Sequence, residues 1–415
     1  MQNSLFMSRL AFLSSFAIFG SAQSEECICL ESSYPCTQVD CGCCCASDEF
    51  SSSLDRCEGY TPAYYDLVCD WGISLSVDFL YWYGRESNLT YAGQYETVST
   101  QDERDPTSTA LVPTDYEYIS TDWEPGIRVG LGLNLNCDGW DVRGEWTYYK
   151  NTKSSKVTSP VLELPLVVGD VLLGTPWSEF GMTSPQFNQI KANWKFRWNG
   201  LDLELGRRYW LSRCFAFRPS VGLRGGWTKT DFDLKGTLAE LENGGADQIN
   251  IENDNCFRNS FWGGGLLTGV EPSFYFTPCF SLFGGMNLAL LWGKFKYKLD
   301  CDQFRFTDLN NMTDVLVEYD YSYDLKTDSY GMQPVFDLAL GLRYEMNFCC
   351  DRFLLVGEAG WEHHIWLDHN QRYYRNYNGN QTTGDPAQII DLISGEEIDN
   401  SVDFGGLVVR LAFDF

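Results

Sequence analysis

The chain of 415 residues carries 57 acidic and 30 basic residues, which gives a formal charge of −27. This charge argues against a nucleic-acid partner, because the phosphates would be repelled. Aromatic residues make up 15% of the chain although the mean hydropathy is −0.26, and after the N-terminal region no apolar run approaches the roughly 20 residues of a membrane helix. A chain that is rich in aromatics yet polar on average is typical of a membrane β-barrel, since only alternate strand residues face lipid.

The first 22 residues have the layout of a secretory signal peptide. In "MQNSLFMSRLAFLSSFAIFGSAQ", the single cation Arg9 is followed by an apolar run over residues 10–20 and by small residues at the end of that run. The run is too short to span a bilayer. We therefore predict that residues 1–22 are a signal peptide and that the mature chain is exported; a buried N-terminal helix is the alternative.

Residues 23–70 form a Cys-rich segment, which we predict to be periplasmic. Nine of the 16 cysteines of the chain lie here: Cys27, Cys29, Cys36, Cys41, Cys43, Cys44, Cys45, Cys57 and Cys69. In an exported chain this pattern predicts disulfides; a metal cluster is the alternative, but regular C-x-x-C pairs with His partners are absent. Because nine is odd and three of these cysteines are adjacent, we expect some bridges to reach cysteines elsewhere in the chain or in another chain.

From Trp71 the sequence alternates with a period of two. "WGISLSVDFLYWYG" places aromatic and aliphatic residues on one face and glycine, serine and aspartate on the other, which predicts a β-strand with one apolar and one polar face. At about 14 residues it is long enough to cross a membrane, for which a tilted strand needs about 9 to 11.

Similar stretches follow along the chain and bring the number of predicted strands to ten. They include "GIRVGLGLNLN", "WDVRGEWTYY", "FAFRPSVGLRGGW", "FSLFGGMNLALLWGKFKY" and "PVFDLALGLRYE". In "IKANWKFRWNGLDLELGRRYW" the apolar positions are even-numbered up to Trp198 and odd-numbered from Leu201. We predict a β-bulge at Gly200, which would allow both sets to face outward.

The connections between these strands are alternately short and long. Short turns lie near residues 136–139, 210–214, 277–279 and 346–352, and long polar connections lie between them. Outer-membrane barrels have short periplasmic turns and long extracellular loops. We therefore predict that residues 71–415 form an all-β, antiparallel transmembrane β-barrel of at least 10 strands (10–16). A soluble β-sandwich or propeller would not readily give long strands with connections sorted in this way.

The last strand, "LVVRLAFDF", is among the most regular of the chain. A barrel in lipid must pair its last strand with its first, because an open edge would leave backbone groups unsatisfied. The alternating apolar residues and the terminal aromatic residue also resemble the signal that outer-membrane assembly machinery reads. We assign that signal to Leu407, Val409, Leu411, Phe413 and Phe415.

Several of these stretches resemble one protein family, the Legionella-type major outer membrane proteins and the related proteins of Chlamydia-related bacteria. The matching stretches are "DFLYWYGRESNLTYA", "WEPGIRVGLG", "DLELGRRYWLSRCFAFRPSVGLRGGW", "FWGGGLLTGVEPSFYF" and "GLVVRLAFDF". The resemblance implies an abundant barrel with porin activity in the outer membrane of a Gram-negative-type bacterium. The segment before Trp71 has no counterpart in the family pattern and suggests an envelope with disulfide cross-links.

Strand number limits the width of such a pore. Eight strands leave a lumen that side chains fill, and 16 to 18 leave an aqueous channel. Ten strands would give a narrow pore, but alternations within two long connections, "VLELPLVVGDVLL" and "TDVLVEYDYSYDL", predict either further wall strands or hairpins above the membrane.

Charged residues of both signs lie on the polar faces of the predicted strands. In a porin, opposed rows of charge filter solutes; the alternative is that they pair across a filled lumen. The pore-lining candidates are Arg128, Arg143, Glu145, Lys195, Arg197, Asp202, Glu204, Arg218, Arg224, Asp337, Arg343 and Glu358.

Four long connections hold most of the negative charge. Residues 93–122, 229–258, 298–331 and 368–403 together contain 29 acidic and 9 basic residues. An acidic vestibule concentrates cations, an effect that salt screens over about 8 Å at physiological strength. This predicts a mild cation preference; a solvated acidic surface without a role in transport is the alternative.

The sequence thus predicts a porin for small hydrophilic solutes and ions, surrounded by outer-membrane lipid and linked by disulfides to itself or to envelope proteins. The rival is a structural or adhesive barrel that displays acidic loops with little or no channel activity. We predict no enzyme activity, cofactor or metal. The chain has only three histidines, and the pair His363 and His364 lies beside Glu362 without a recognisable nucleophile motif.

Overall fold

A computed structural model describes most of the chain from residue 71 onward. The described residues are 71–87, 89–99, 109–135, 140–159, 168–175, 177, 187–212, 214–238, 247–277, 279–309, 317–348, 353–376 and 394–415. The predicted signal peptide and Cys-rich segment lie outside them, so both assignments stay predictions. Within these ranges no helix is long and apolar enough to cross a membrane.

The described residues form fourteen strands. In chain order they are β1 (Trp71–Glu86), β2 (Thr90–Ser99), β3 (Thr109–Tyr118), β4 (Trp123–Leu135), β5 (Trp140–Thr158), β6 (Val171–Gly174), β7 (Gln189–Arg207), β8 (Tyr209–Ser212), β9 (Phe215–Leu238), β10 (Asp247–Tyr275), β11 (Phe280–Leu309), β12 (Val317–Phe348), β13 (Phe353–Asn376) and β14 (Ser394–Asp414).

Ten of these strands close into an antiparallel barrel. The order around the barrel is β1, β4, β5, β7, β9, β10, β11, β12, β13 and β14, after which β14 pairs with β1. The short strand β8 pairs with the start of β9 at the periplasmic end. The predicted β-barrel is therefore confirmed, at the lower limit of the predicted range of 10 to 16 strands.

The seam between the first and last strands is continuous over its length. Ser74 lies opposite Asp414, and the register continues without a shift as far as Glu86 opposite Val402. Beyond the end of β14, Ile73 and Phe415 exchange backbone N–H···O hydrogen bonds of 2.8 and 2.9 Å. The C-terminal strand is thus a structural seam, as predicted; its reading by assembly machinery stays a prediction.

Outward-facing apolar side chains surround the barrel. On β14 the side chain of Leu411 is 58% exposed, whereas its inward-facing neighbour Ala412 is 9% exposed. On β11 the exposed apolar residues run from Phe280 to Trp292, about 31 Å in height for a rise of about 3.4 Å per residue and a tilt of about 40°. This height corresponds to the apolar band of outer-membrane barrels, about 25 Å, together with the aromatic girdles that flank it, and identifies the lipid-facing surface.

The predicted bulge at Gly200 is wrong. Strand β7 keeps one register with both neighbours from Gln189 to Gly206. Trp194 and Trp198 therefore face the interior, at 0% and 4% exposure, while Leu201 faces lipid at 49%. The apolar residues change face because the strand leaves the bilayer at this point. Nearer the periplasm, the outer face of the barrel wall meets lipid and the inner face is polar. Farther out, the outer face meets water and the inner face is packed with apolar side chains.

Where the structure describes them, the two connections with secondary alternation extend the structure above the membrane and add no wall strand. Residues 317–325 belong to the outer part of β12, and residues 171–173 belong to β6, while residues 161–167 and 313–316 lie outside the described residues. Strands β3, β2 and β6 form a separate three-stranded sheet, which we call the cap.

Candidate functional site: the barrel interior

The lower half of the lumen contains arginines that each bind carboxylates from several strands. Arg128 on β4 donates from Nη1 to Asp78 at 3.1 Å and from Nη2 to Glu362 at 2.7 Å, which joins β4 to β1 and β13. Arg410 on β14 binds Asp78 at 2.8 and 2.9 Å and Glu145 on β5 at 2.7 Å. The Asp78 side chain is completely buried, so two arginines are needed to compensate its burial.

A second group of ion pairs lies nearer the periplasm. Arg218 on β9 makes a bidentate contact with Asp141 on β5, with distances of 2.5 and 2.8 Å, and lies 3.4 Å from Glu204. Glu271 on β10 is held between Arg218, at 3.3 Å, and Arg143, at 3.1 Å. Side chains from β5, β7, β9 and β10 therefore meet in the lumen and fill it from that side.

Two further arginines complete this charged lower lumen. Arg224 binds Asp202 on β7 at 2.7 Å and Asp337 on β12 at 2.5 Å. Arg343 binds Glu358 on the neighbouring strand β13 at 2.6 Å. These are charge-assisted hydrogen bonds of the strong class, because both partners are ionised.

The space left between the ion pairs is small. Two cavities of about 100 Å³ and about 90 Å³ lie in the lower lumen, lined by the ion-paired residues together with Arg208 and Asp414. Cavities of this size and polarity hold several water molecules.

The upper half of the lumen is filled by aromatic rings, which we call the aromatic layer. Its members are 0–4% exposed: Trp82, Tyr149, Trp194, Phe196, Trp198, Phe261, Trp366 and Phe404. They belong to one continuous apolar cluster.

Rings of the aromatic layer cross the whole lumen. Trp82 on β1 lies 6.1 Å from Trp198 on β7, which lies 6.4 Å from Trp366 on β13; Trp366 in turn lies 6.0 Å from Phe261 on β10. Strands β1 and β10 are on opposite sides of the ten-stranded barrel. The contacts therefore run from wall to wall, between the charged lower lumen and the outside.

A glycine in the wall makes room for one of these rings. A Cβ atom on Gly226 would lie 2.7 Å from the Cη2 atom of Trp366, closer than real Cβ contacts. Strand β9 therefore presents no side chain at this height, and the indole from the other side of the barrel packs directly against its backbone.

The cap packs on top of the aromatic layer. Leu89, Tyr91 and Leu173, each at most 3% exposed, join the same apolar cluster, and Leu173 exchanges two backbone hydrogen bonds of 3.0 Å with Phe187. Burial, with Glu117 nearby, raises the pKa of the Tyr91 phenol to about 12, so this side chain stays neutral in its apolar surroundings.

The structure places ten of the twelve pore-lining candidates in the charged lower lumen: Arg128, Arg143, Glu145, Asp202, Glu204, Arg218, Arg224, Asp337, Arg343 and Glu358. Each of them forms an ion pair, which agrees with a filled lumen; lining of a conducting pore stays a prediction. The other two, Lys195 and Arg197, lie on the outer face of β7, because no bulge reverses the strand. Their assignment to the lumen was wrong.

Sequence reasoning missed Glu271 and Arg208 as interior residues. Glu271 stands between Val270 and Pro272, yet it follows the inward-facing Gly269 and Leu267 at a spacing of two, and this spacing is a signal that could have identified it. Arg208 follows the last residue of β7, so the period of two within a strand does not indicate which way its side chain points.

His364, one of the two adjacent histidines, contacts a carboxylate and an aromatic ring in the barrel interior. His364 Nδ1 lies 2.7 Å from Asp337 Oδ1, and its ring stacks with Phe404 at 5.1 Å within the aromatic layer. Among the described residues, no group of three or more His, Cys, Asp or Glu side chains is arranged to hold a metal ion.

The disulfide candidates of the Cys-rich segment lie outside the described residues; Cys214, at the periplasmic end of β9, is disulfide-bonded.

Residues 70–413 match the profile of a family described as the Legionella pneumophila major outer membrane protein precursor. No curated protein matches the chain. Solved structures with a similar course of the chain include the outer membrane protease OmpT from Escherichia coli, with 9% identity, a TM-score of 0.31 and coverage of 86% of this chain and 98% of that one. Another is a FadL homologue from Pseudomonas aeruginosa, with 8% identity, a TM-score of 0.24 and coverage of 88% and 93%. At such scores the barrel assignment rests on the strand pairing described above.

Proposed function

This chain belongs to the Legionella major outer membrane protein family and is a protein of the bacterial outer membrane, and we propose that it acts there as a closed structural barrel with little or no channel activity. The barrel spans the membrane and displays an acidic surface to the outside. Of the two functions that the sequence predicts, this is the structural or adhesive barrel.

The observation that carries this proposal is the aromatic layer. Its rings contact one another from wall to wall, and their exposure is at most 4%. Burying one large apolar side chain contributes about 1.5–3 kcal/mol, so moving the four rings of this line of contacts into water would cost on the order of 10 kcal/mol. A cost of this size keeps the open state negligibly populated.

The outer surface supports the display role. The walls β10, β11 and β12, with 29, 30 and 32 residues, rise far above the apolar band. They carry exposed carboxylates, among them Asp254, Asp324 and Asp328. Together with the acidic connections they present a surface that attracts cationic partners.

Liposome swelling tests the proposal. We expect that the full chain, refolded into liposomes, admits no sugar in a series of graded size, because ion pairs occupy the lower lumen and the aromatic layer crosses the upper lumen. Heat-modifiable mobility in electrophoresis confirms folding in the same sample. Swelling in the smallest sugar at a rate proportional to protein content would contradict the proposal.

A diffusion pathway for small ions is the second candidate, favoured by the water-sized cavities between charges of both signs. It corresponds to the porin predicted from the sequence, with a mild cation preference produced by the acidic connections. If the liposomes prove permeable, zero-current potentials in planar bilayers distinguish its selectivity: this candidate requires cation preference that weakens as salt rises.

The cysteine pattern supports a disulfide-linked role in the envelope. Every short connection at the periplasmic end of the barrel contains a cysteine: Cys137, Cys214, Cys279, Cys349 and Cys350. The Cys-rich segment directly precedes Trp71 in the chain, and Trp71, the first residue of β1, lies at this same end. Cys214 is already disulfide-bonded. We propose that the other cysteines of these two groups bridge to each other, to a second copy or to another envelope protein.

Electrophoresis of envelopes with and without reductant tests this role. We expect high-mass species in the non-reduced sample that collapse to the monomer on reduction, since the nine cysteines of the segment cannot all pair with one another and those left over are available to a second copy or to another envelope protein. Alkylation of free thiols before lysis serves as the control against oxidation during preparation. A monomer of identical mobility in both samples would exclude cross-linking and intramolecular bridges together.

A further inference from the structure

Three neighbouring strands carry a row of cations on the outer face of the barrel. Lys150 on β5 lies directly opposite Arg197 on β7, which lies directly opposite Lys229 on β9. Lys195 lies one row higher on β7. We call these four residues the basic row. They form a cluster of positive charge in a chain whose formal charge is −27.

The basic row has a defined height relative to the membrane. One row below it, on the same face, are Tyr148 and the 45% exposed Trp227, aromatic residues of the kind that mark the membrane interface. Rows on one face are about 7 Å apart along a strand, or about 5 Å in height at a tilt of about 40°. This places the basic row in the headgroup region, which extends about 5–8 Å beyond the hydrocarbon core.

The cations of this row are poorly compensated within the protein. Like charges directly opposite each other on neighbouring strands are destabilising. Asp231 lies directly opposite Lys195 and pairs with Lys229 at 3.3 Å, but Lys150, Lys195 and Arg197 form no ion pair within the described part of the chain. The Nε atom of Arg197 is buried and has no hydrogen-bond partner. This arrangement calls for an anion from outside the chain.

We propose that the basic row binds the phosphate groups of an outer-leaflet lipid, whose acyl chains pack against the apolar band below. Phosphate supplies the acceptor oxygens that a guanidinium and two ammonium groups lack here. The inference is independent of whether the barrel conducts, since it concerns the outer wall only.

The same strands supply a matched control. Lys156, Lys191 and Lys235 form a second row of three opposed cations, six residues farther from the membrane on each strand. Six residues correspond to about 15 Å in height at the same tilt, which is beyond the headgroups. The basic row and this second row therefore lie on the same three strands, on the same outer face, and both consist of cations; they differ in their height above the membrane.

Binding of lipid A to the full-length, refolded protein in detergent tests the proposal. We expect Arg197→Gln/Lys150→Gln to weaken binding about 30-fold, about 1 kcal/mol for each cation, and Lys156→Gln/Lys191→Gln to leave it within about twofold. Lipid A from which the phosphates have been removed should bind the wild type as weakly as native lipid A binds the first variant. Heat-modifiable mobility verifies that both variants fold.

Three results would overturn the proposal. The first is equal binding by the wild type and the basic-row variant; the second is an equal loss in both variants, which would indicate attraction by net charge alone. The third is displacement of lipid A by an equimolar amount of inorganic phosphate, which would indicate a site for the free ion.

Discussion

Replacing Trp82 and Trp198 together by alanine is expected to turn a closed barrel into one that passes ions. Both indoles belong to the aromatic layer and lie 6.1 Å apart on strands from different sides of the lumen. Their removal breaks the line of contacts between walls and opens the charged lower lumen to the cap. Single-channel recording in planar bilayers measures the effect, which should appear as stable conductance steps absent from the wild type.

The matched control removes two indoles from the lipid-facing surface. Trp146 and Trp227 are 41% and 45% exposed, and Trp146→Ala/Trp227→Ala should leave the barrel closed. Since a buried Trp→Ala change costs about 3–5 kcal/mol, the opened variant is also expected to unfold at lower denaturant concentration. A folded, heat-modifiable Trp82→Ala/Trp198→Ala barrel without conductance would show that other groups close the lumen.

The second large effect concerns stability. Arg128→Met removes the cation that joins Asp78 and Glu362, whose distances to the guanidinium are 3.1 and 2.7 Å. Because the Asp78 side chain is completely buried and would retain only Arg410, we expect a loss of about 3–5 kcal/mol in the free energy of unfolding. Urea unfolding of the refolded barrel in lipid vesicles measures it.

Two further variants separate lost pairing from lost packing. Arg128→Met/Glu362→Gln removes one of the two orphaned charges and should recover part of the loss. Lys153→Met breaks an exposed pair, in which Nζ lies 2.5 Å from Asp122, and should cost about 1 kcal/mol or less. An Arg128→Met barrel as stable as the Lys153→Met barrel would contradict buried ion pairing as a source of stability.

The wall of the barrel could be predicted from local pattern. Alternation in stretches such as "GLVVRLAFDF" follows from one face meeting lipid and the other the lumen, and closure by the C-terminal strand follows from the cost of an open edge in lipid. The same alternation placed ten of the twelve charged candidates inside.

The contents of the upper lumen could not be predicted in this way. Where β7 leaves the bilayer, the outside becomes water, so Lys195 and Arg197 face outward and Trp194 faces inward. The period of two is the same on either side of that point, so alternation by itself does not show where the bilayer ends. Long-range contacts, such as Trp198 with Trp366, are set by barrel closure and have no local signal.

A planar-bilayer recording of the wild-type chain, refolded at full length and verified by heat-modifiable mobility, tests most directly whether the interior is closed. Because ion pairs fill the lower lumen and aromatic rings the upper, we expect no stable conductance steps at high salt. Regular steps of the size seen for open porins, scaling with protein content, would mean that an aqueous path runs through the barrel.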